Sequence, residues 1–127
     1  MIKLNKKILL VEDDMFLSKI MEERLQDEGW EVNLAGNGEE GLQKAKSYLP
    51  DLILLDMILP KMNGFEVLEA LKKDEKTKKI PVIVLSNLGQ DEDIKNAKKI
   101  GAADYLVKSN FSIKAIVEKI NKIFSRQ

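Results

Sequence analysis

Short apolar runs alternate along this chain with stretches whose apolar residues recur at helical spacing, and the alternation repeats five times. Ile8-Leu9-Leu10-Val11 is an unbroken apolar run, the pattern of a strand buried on both faces. Phe16, Leu17, Ile20, Met21 and Leu25 then follow one helical stripe, and Gly29 stands where a helix C-terminus favours glycine. Val32 and Leu34 alternate with Glu31 and Asn33, which predicts a shorter, more exposed strand. Asn37 caps a second helix, with Glu40 three residues on as in a capping box; Leu42, Ala45 and Leu49 continue it and Pro50 ends it. Leu52-Ile53-Leu54-Leu55 is the most apolar run and stops at Asp56. Pro60, Asn63 and Gly64 mark a loop, and Phe65, Leu68 and Leu71 a third helix. Val82-Ile83-Val84-Leu85 predicts a strand ending at Ser86, and Ile94, Ala97 and Ile100 a helix closed by Gly101. Tyr105-Leu106-Val107 is a brief fifth strand ending at Lys108. Ser112 caps the last helix, whose stripe is Ile113, Ile116, Val117, Ile120 and Phe124.

A βα unit repeated five times predicts an α/β fold: a doubly wound, five-stranded parallel sheet with right-handed crossovers and helices on both faces. The 127 residues suit one domain, with no linker and no low-complexity stretch. The short end after the last helix, Ser125-Arg126-Gln127, predicts a single domain over 1–127 without an output domain. Composition changes this picture mainly by exclusion. Apolar residues are 44% and charged residues 33%, enough for a core without disulfides or a structural metal. There is no cysteine and no histidine, which excludes thiol chemistry, histidine–zinc sites and phosphorylation of this chain on histidine. Twenty-one basic and twenty-one acidic residues balance, which argues against direct nucleic-acid or membrane-surface binding. The start, Met1 to Lys7, is basic like a signal peptide, but the following apolar run is only Ile8 to Val11. No stretch nears the roughly 18 apolar residues of a membrane span, so a cytoplasmic location is expected.

In doubly wound sheets ligands bind beyond the carboxyl ends of the strands. The first strand is followed by Glu12-Asp13-Asp14, the third by Asp56, the fourth by Ser86 and the fifth by Lys108. Crowded carboxylates raise one another's pKa unless positive charge intervenes. A site rich in oxygen, without nitrogen or sulfur ligands, suits a hard cation. Magnesium, with manganese as a substitute, fits better than calcium, because the acids lack calcium-loop spacing. A magnesium ion beside a carboxylate, a hydroxyl and an ammonium has the parts of a phosphoryl-transfer site. Asp56 is then the nucleophile that becomes an aspartyl phosphate, Lys108 offsets negative charge, and Ser86 donates to a phosphoryl oxygen. Each residue also has a plainer role: Asp14 as a helix cap, Ser86 as a turn residue, Lys108 as a solvated lysine. Their convergence at successive strand ends favours the chemistry.

These segments resemble the receiver domain of two-component response regulators, over roughly Lys7 to Phe124. Ile8 to Asp14 resembles that family's first strand and acidic pair, and Asp56-Met57-Ile58-Leu59-Pro60-Lys61-Met62-Asn63-Gly64 its phosphorylation segment. Ile80 to Ser86 and Gly101 to Lys108 resemble the approaches to its hydroxyl and its lysine. The resemblance implies a flavodoxin-like fold with strand order 2-1-3-4-5. It implies that Asp56 accepts the phosphoryl group, and that Asp13, Asp56 and the Ile58 carbonyl bind magnesium, with Glu12 acting through a metal-bound water. It makes Asp14 a bystander, and Ser86 and Tyr105 the switch pair: the hydroxyl moves to the phosphate and the aromatic turns inward behind it. The plainer role for Tyr105 is a half-buried strand residue with its hydroxyl in water. The implied partners are a sensor histidine kinase or phosphotransfer protein as donor and a downstream protein that reads the fourth and fifth helices. The implied state is a monomer or a phosphorylation-dependent dimer.

The chain departs from the family in four places. Ser109 follows Lys108 where proline after a cis bond is usual, so this peptide is either strained or trans. Asn87 replaces a small residue beside Ser86, where it crowds or hydrogen-bonds the phosphate. Ile58 and Leu88 are apolar where side chains influence attacking water, which predicts a longer phosphorylated lifetime. From Lys95 onward eight basic residues face two acids, whereas Glu12 to Asp51 holds eleven acids and four basic residues. That contrast is either a solvated lysine face or a surface for an acidic partner. The competing functions are a magnesium-dependent aspartyl-phosphate phosphohydrolase, a flavodoxin-like binder and a degenerate receiver that only docks partners. The phosphohydrolase would want a second aspartate at position 58, and the flavin binder a hydroxyl- and glycine-rich phosphate loop after the first strand, where Glu12-Asp13-Asp14 would instead repel a phosphate.

Overall fold

The structure is a computed structural model, and it describes residues 5–126. The residues at Met1–Leu4, part of the basic start, and the final Gln127 lie outside these. The elements run β1 (Lys7–Val11), α1 (Met15–Asp27), β2 (Glu31–Ala35), α2 (Gly38–Tyr48), β3 (Leu52–Leu55), α3 (Gly64–Lys73), β4 (Val82–Ser86), α4 (Asp91–Ile100), β5 (Asp104–Val107) and α5 (Ile113–Ser125), with a 3-10 turn at Lys108–Asn110. All four strand pairings are parallel and the order is β2-β1-β3-β4-β5. The chain steps outward from β1 to β2 and then returns past it to β3, so β1 and β3 flank the point where the winding reverses.

The apolar runs are continuous because both faces of the sheet are covered. Leu9, Val11, Ile53, Leu55, Val82 and Val84 face α2, α3 and α4, where Ala45, Val67, Leu68, Leu71 and Ala97 meet them. The alternate residues Ile8, Leu10, Leu52, Leu54, Ile83 and Leu85 face Met21 and Leu25 of α1 and Ile116, Val117 and Ile120 of α5. All twelve strand residues are buried, and burying each such side chain is worth about 1.5–3 kcal/mol. This two-sided burial holds the strand ends still.

Helix starts follow the capping residues. Asp14 accepts from the Phe16 and Leu17 amides, both at 3.1 Å, so it is the cap of α1. Asn37 accepts from Glu40 N at 2.8 Å, but the Glu40 carboxylate reaches the Gly36 amide at 2.6 Å rather than closing a box on Asn37. Asn63 and Glu66 do close a reciprocal box at the start of α3 (3.0 and 3.2 Å). Ser112 caps α5 through the Ala115 amide.

Two local expectations are corrected. β2 has five residues, as many as β1, and its exposure comes from its place at the sheet edge. Leu49 is not part of α2: it adopts a left-handed φ of 48° and is exposed, because the following Pro50 disfavours the helical region.

Candidate functional site

The carboxyl ends of β1, β3 and β5 bring together Glu12, Asp13, Asp56 and Lys108, and Ser86 ends β4 on the same edge of the sheet. Asp56 follows β3 directly, and its amide donates to the Val11 carbonyl (3.1 Å), which ties it to the end of β1. Its side chain is 6% exposed. One carboxylate oxygen accepts from the Ile58 amide at 3.1 Å and the other from the Lys108 ammonium at 3.0 Å. Lys108 also reaches Glu12 Oε1 at 2.6 Å. Glu12 is held from its other side by the Asp14 amide (3.1 Å). Asp13 is exposed at the mouth.

Burial pushes the Glu12 carboxyl above its usual range, against the lowering effect of Lys108 and the Asp14 amide. For Lys108 burial acts to lower the pKa, but the contacts with Glu12 and Asp56 outweigh it and the ammonium is held above its ordinary value. One cation thus bridges two buried acids across β1, β3 and β5.

The donor set fits a hard divalent cation. One carboxylate oxygen each from Glu12, Asp13 and Asp56 lie within 4.8 Å of one another. Three carboxylates and one ammonium carry a formal charge of −2, which a single Mg2+ would balance. Side-chain ligands from Asp13 and Asp56 can therefore share an ion with water, with Glu12 engaged by Lys108.

Ser86 and Tyr105 converge on one backbone residue. Ser86 is fully buried, and its hydroxyl accepts from the Leu88 amide at 3.3 Å. The Tyr105 hydroxyl donates to the Leu88 carbonyl at 2.5 Å. Tyr105 is 7% exposed, so it is neither half-buried nor open to water as its plainer role required. Leu88 packs on the core and Asn87 points outward as an exposed residue. Ile58 is 53% exposed at the rim. No cis peptide occurs among the described residues, so Lys108–Ser109 is trans, and Lys108 still reaches both acids.

Sequence reading missed three supporting groups. Ser18 is buried in α1 with its hydroxyl 3.5 Å from the Glu12 carbonyl. The Asp14 amide orients Glu12 while its side chain caps α1. The Asn63–Glu66 box, legible as Asn-x-x-Glu, fixes where the Asp56 segment enters α3.

This fold with an aspartate at the switch point, a bridging lysine and an acidic mouth defines a class, and sequence comparison agrees. The chain belongs to the response regulator receiver domain family, whose profile matches residues 8–121. Among curated relatives it is 37% identical over 120 residues to the DNA-binding dual master transcriptional regulator RpaA of Synechocystis, covering 94% of this chain and 49% of that protein. It is 40% identical over 120 residues to the probable transcriptional regulator ycf29 of Pyropia yezoensis, covering 94% of this chain and 54% of that protein. The chain thus spans about half the length of these relatives. Among solved structures, the receiver domain of the Francisella response regulator 1452 superimposes with a TM-score of 0.88 at 30% identity, covering 96% of this chain and 98% of that one. A CheY-like receiver domain protein from Methanospirillum hungatei gives a TM-score of 0.90 at 29% identity, covering 97% and 96%. The CheX-CheY-BeF3-Mg complex of Borrelia burgdorferi gives 0.86 at 27% identity, covering 94% and 89%.

Receiver domains are signalling modules rather than enzymes, which sets the phosphohydrolase alternative aside. They bind Mg2+ at an acidic pocket, and the acidic cluster of this chain is Glu12, Asp13 and Asp56. No helix among the described residues is long and apolar enough to cross a membrane.

Proposed function

We propose that this chain is a phosphorylation switch in which Asp56 takes a phosphoryl group from a phosphohistidine of a sensor kinase or phosphotransfer protein. The observation that carries the reading is the Lys108 ammonium 3.0 Å from a buried Asp56 carboxylate at the acidic mouth. An Asp56 oxygen attacks phosphorus and forms the new O–P bond. The P–N bond to the donor imidazole breaks, and its electron pair stays on that nitrogen. Lys108 faces the oxygens on which negative charge gathers, and Ser86 supplies a hydroxyl donor. Asp13, Asp56 and the Ile58 carbonyl would hold Mg2+, with Glu12 acting through a water. When bound, that ion withdraws charge from the phosphoryl oxygens.

The output runs through Leu88. A Ser86 hydroxyl drawn to the phosphoryl group gives up the Leu88 amide, while Tyr105 still holds the Leu88 carbonyl. Because the Tyr105 ring already lies inside, the change is carried by the segment from Asn87 to Gln90 rather than by inward rotation of the ring. It alters the face formed by α4, β5 and α5, which a partner protein reads.

The test is incubation of the protein with acetyl phosphate, followed by intact mass. A gain of one phosphoryl group with Mg2+ and none after chelation supports the reading; no gain with Mg2+ present overturns it, leaving a docking module. The lifetime of the product gives a second prediction. Ile58, 53% exposed at the rim, offers attacking water no polar partner, so Ile58→Asn loses the phosphoryl group faster. The expected acceleration is about 3- to 10-fold, short of the ~100-fold of a well-placed general base. Loss rates followed by mass after donor removal check this, and rates no faster than the parent's contradict it.

A further inference from the structure

The first turn of α2 presses on the segment that joins β3 to α3. The Gly38 amide donates to the Pro60 carbonyl at 3.3 Å. A Cβ on Gly38 would overlap the Met62 carbonyl oxygen and come within 2.6 Å of its carbon and 2.8 Å of Met62 Cβ. Two of these three are backbone atoms, so no rotamer change relieves the clash. The helix side of the contact is anchored by the Asn37 cap and the Glu40–Gly36 bond.

The loop side is equally constrained. The Pro60 carbonyl also accepts from Met62 N at 2.8 Å, which bends the chain at Lys61, a residue with φ of 70°. At the near end the Ile58 amide is bonded to Asp56 Oδ1, and at the far end the Gly64 amide donates to the Met57 carbonyl at 2.9 Å. Ile58 is 53% exposed, so burial does not set its position. Its backbone is placed by what holds the residues on either side: Asp56 before it, and the α2 turn after it.

We propose that Gly38 is a positioning residue for the phosphoacceptor segment. Its missing side chain lets α2 brace Pro60 and Met62, and this brace sets the Ile58 backbone beside Asp56. The inference rests on the reading of Asp56 and Ile58 given above.

The test compares Gly38→Ala with Thr77→Ala. Thr77 is a fully buried residue of the α3–β4 connection whose hydroxyl bonds the Leu71 carbonyl at 2.7 Å. Both variants melt below the parent. Only Gly38→Ala weakens Mg2+ binding by calorimetric titration, by about 10-fold, the lower end of losses seen when groups behind metal ligands are changed. Hydrogen exchange of the unmutated protein gives a readout that does not depend on the variant folding. Mg2+ slows exchange at the Gly38 and Met62 amides and leaves the Thr77 amide unchanged. Parent-like Mg2+ affinity in Gly38→Ala, or exchange at Gly38 indifferent to Mg2+, overturns the brace alone. A parent that binds no Mg2+ overturns the reading of the site and the brace with it.

Discussion

Asp56→Asn takes up no phosphoryl group from acetyl phosphate in Mg2+, while its melting temperature stays close to the parent's. The amide is the same shape as the carboxylate but lacks the anionic oxygen that attacks phosphorus. It keeps an acceptor for the Ile58 amide, so the loop after β3 is not released. Lys108 loses one ionic partner but keeps Glu12 at 2.6 Å, so the ammonium is not left unpaired. A variant that still gains a phosphoryl group would place the acceptor elsewhere; one that unfolds would show that Asp56 is needed for the fold.

Lys108→Ala destabilises the metal-free protein by roughly 3 kcal/mol, because it strands two buried carboxylates. Glu12 and Asp56 have side chains 3% and 6% exposed and lie on adjoining strand ends, so water cannot replace the ammonium well. For a chain of this size that is a melting temperature lower by about 10 °C. Mg2+ returns part of the loss, since it supplies positive charge to the same acids. The difference depends on pH in a defined direction. Lys108 is held above its ordinary 10.5 by Glu12 and Asp56 despite burial. A cation raised in the folded state contributes stability fully below its unfolded pKa and loses it as pH climbs through the folded value. The gap between parent and Lys108→Ala therefore persists at neutral pH and closes as pH passes 10.5 and beyond. Urea denaturation of both proteins checks this; a gap that widens with alkali, or no Mg2+ recovery, contradicts the bridging role.

Much of this site was legible because its residues terminate apolar runs. Asp56, Ser86 and Lys108 each end a strand whose burial on both faces leaves an unmistakable pattern, and parallel strands point their ends the same way. The order of the strands was not legible in that pattern, since β1, β3 and β4 are alike continuous apolar runs; it came from family resemblance. What sequence reading lacked were contacts made by backbone atoms. Nothing in the residue types says that Ser86 and Tyr105 meet on the two sides of Leu88, or that Gly38 lies against Met62. Leu49 misled because its spacing continues the α2 stripe, while Pro50 decides its backbone. Tyr105 was read as a choice between a switch residue and a half-buried strand residue; its bond to Leu88 comes from the path of the β4–α4 connection, which periodicity does not describe.

The account stands on one oxygen attached to one phosphorus, and borohydride reduction reads that bond directly. An aspartyl phosphate is reduced to homoserine, whereas a phosphoserine is not. Phosphorylated protein treated with borohydride and digested should carry homoserine at position 56 and at no other. Homoserine at Asp13 or Glu12's reduced counterpart instead, or a borohydride-resistant phosphate retained on Ser86, would contradict the account.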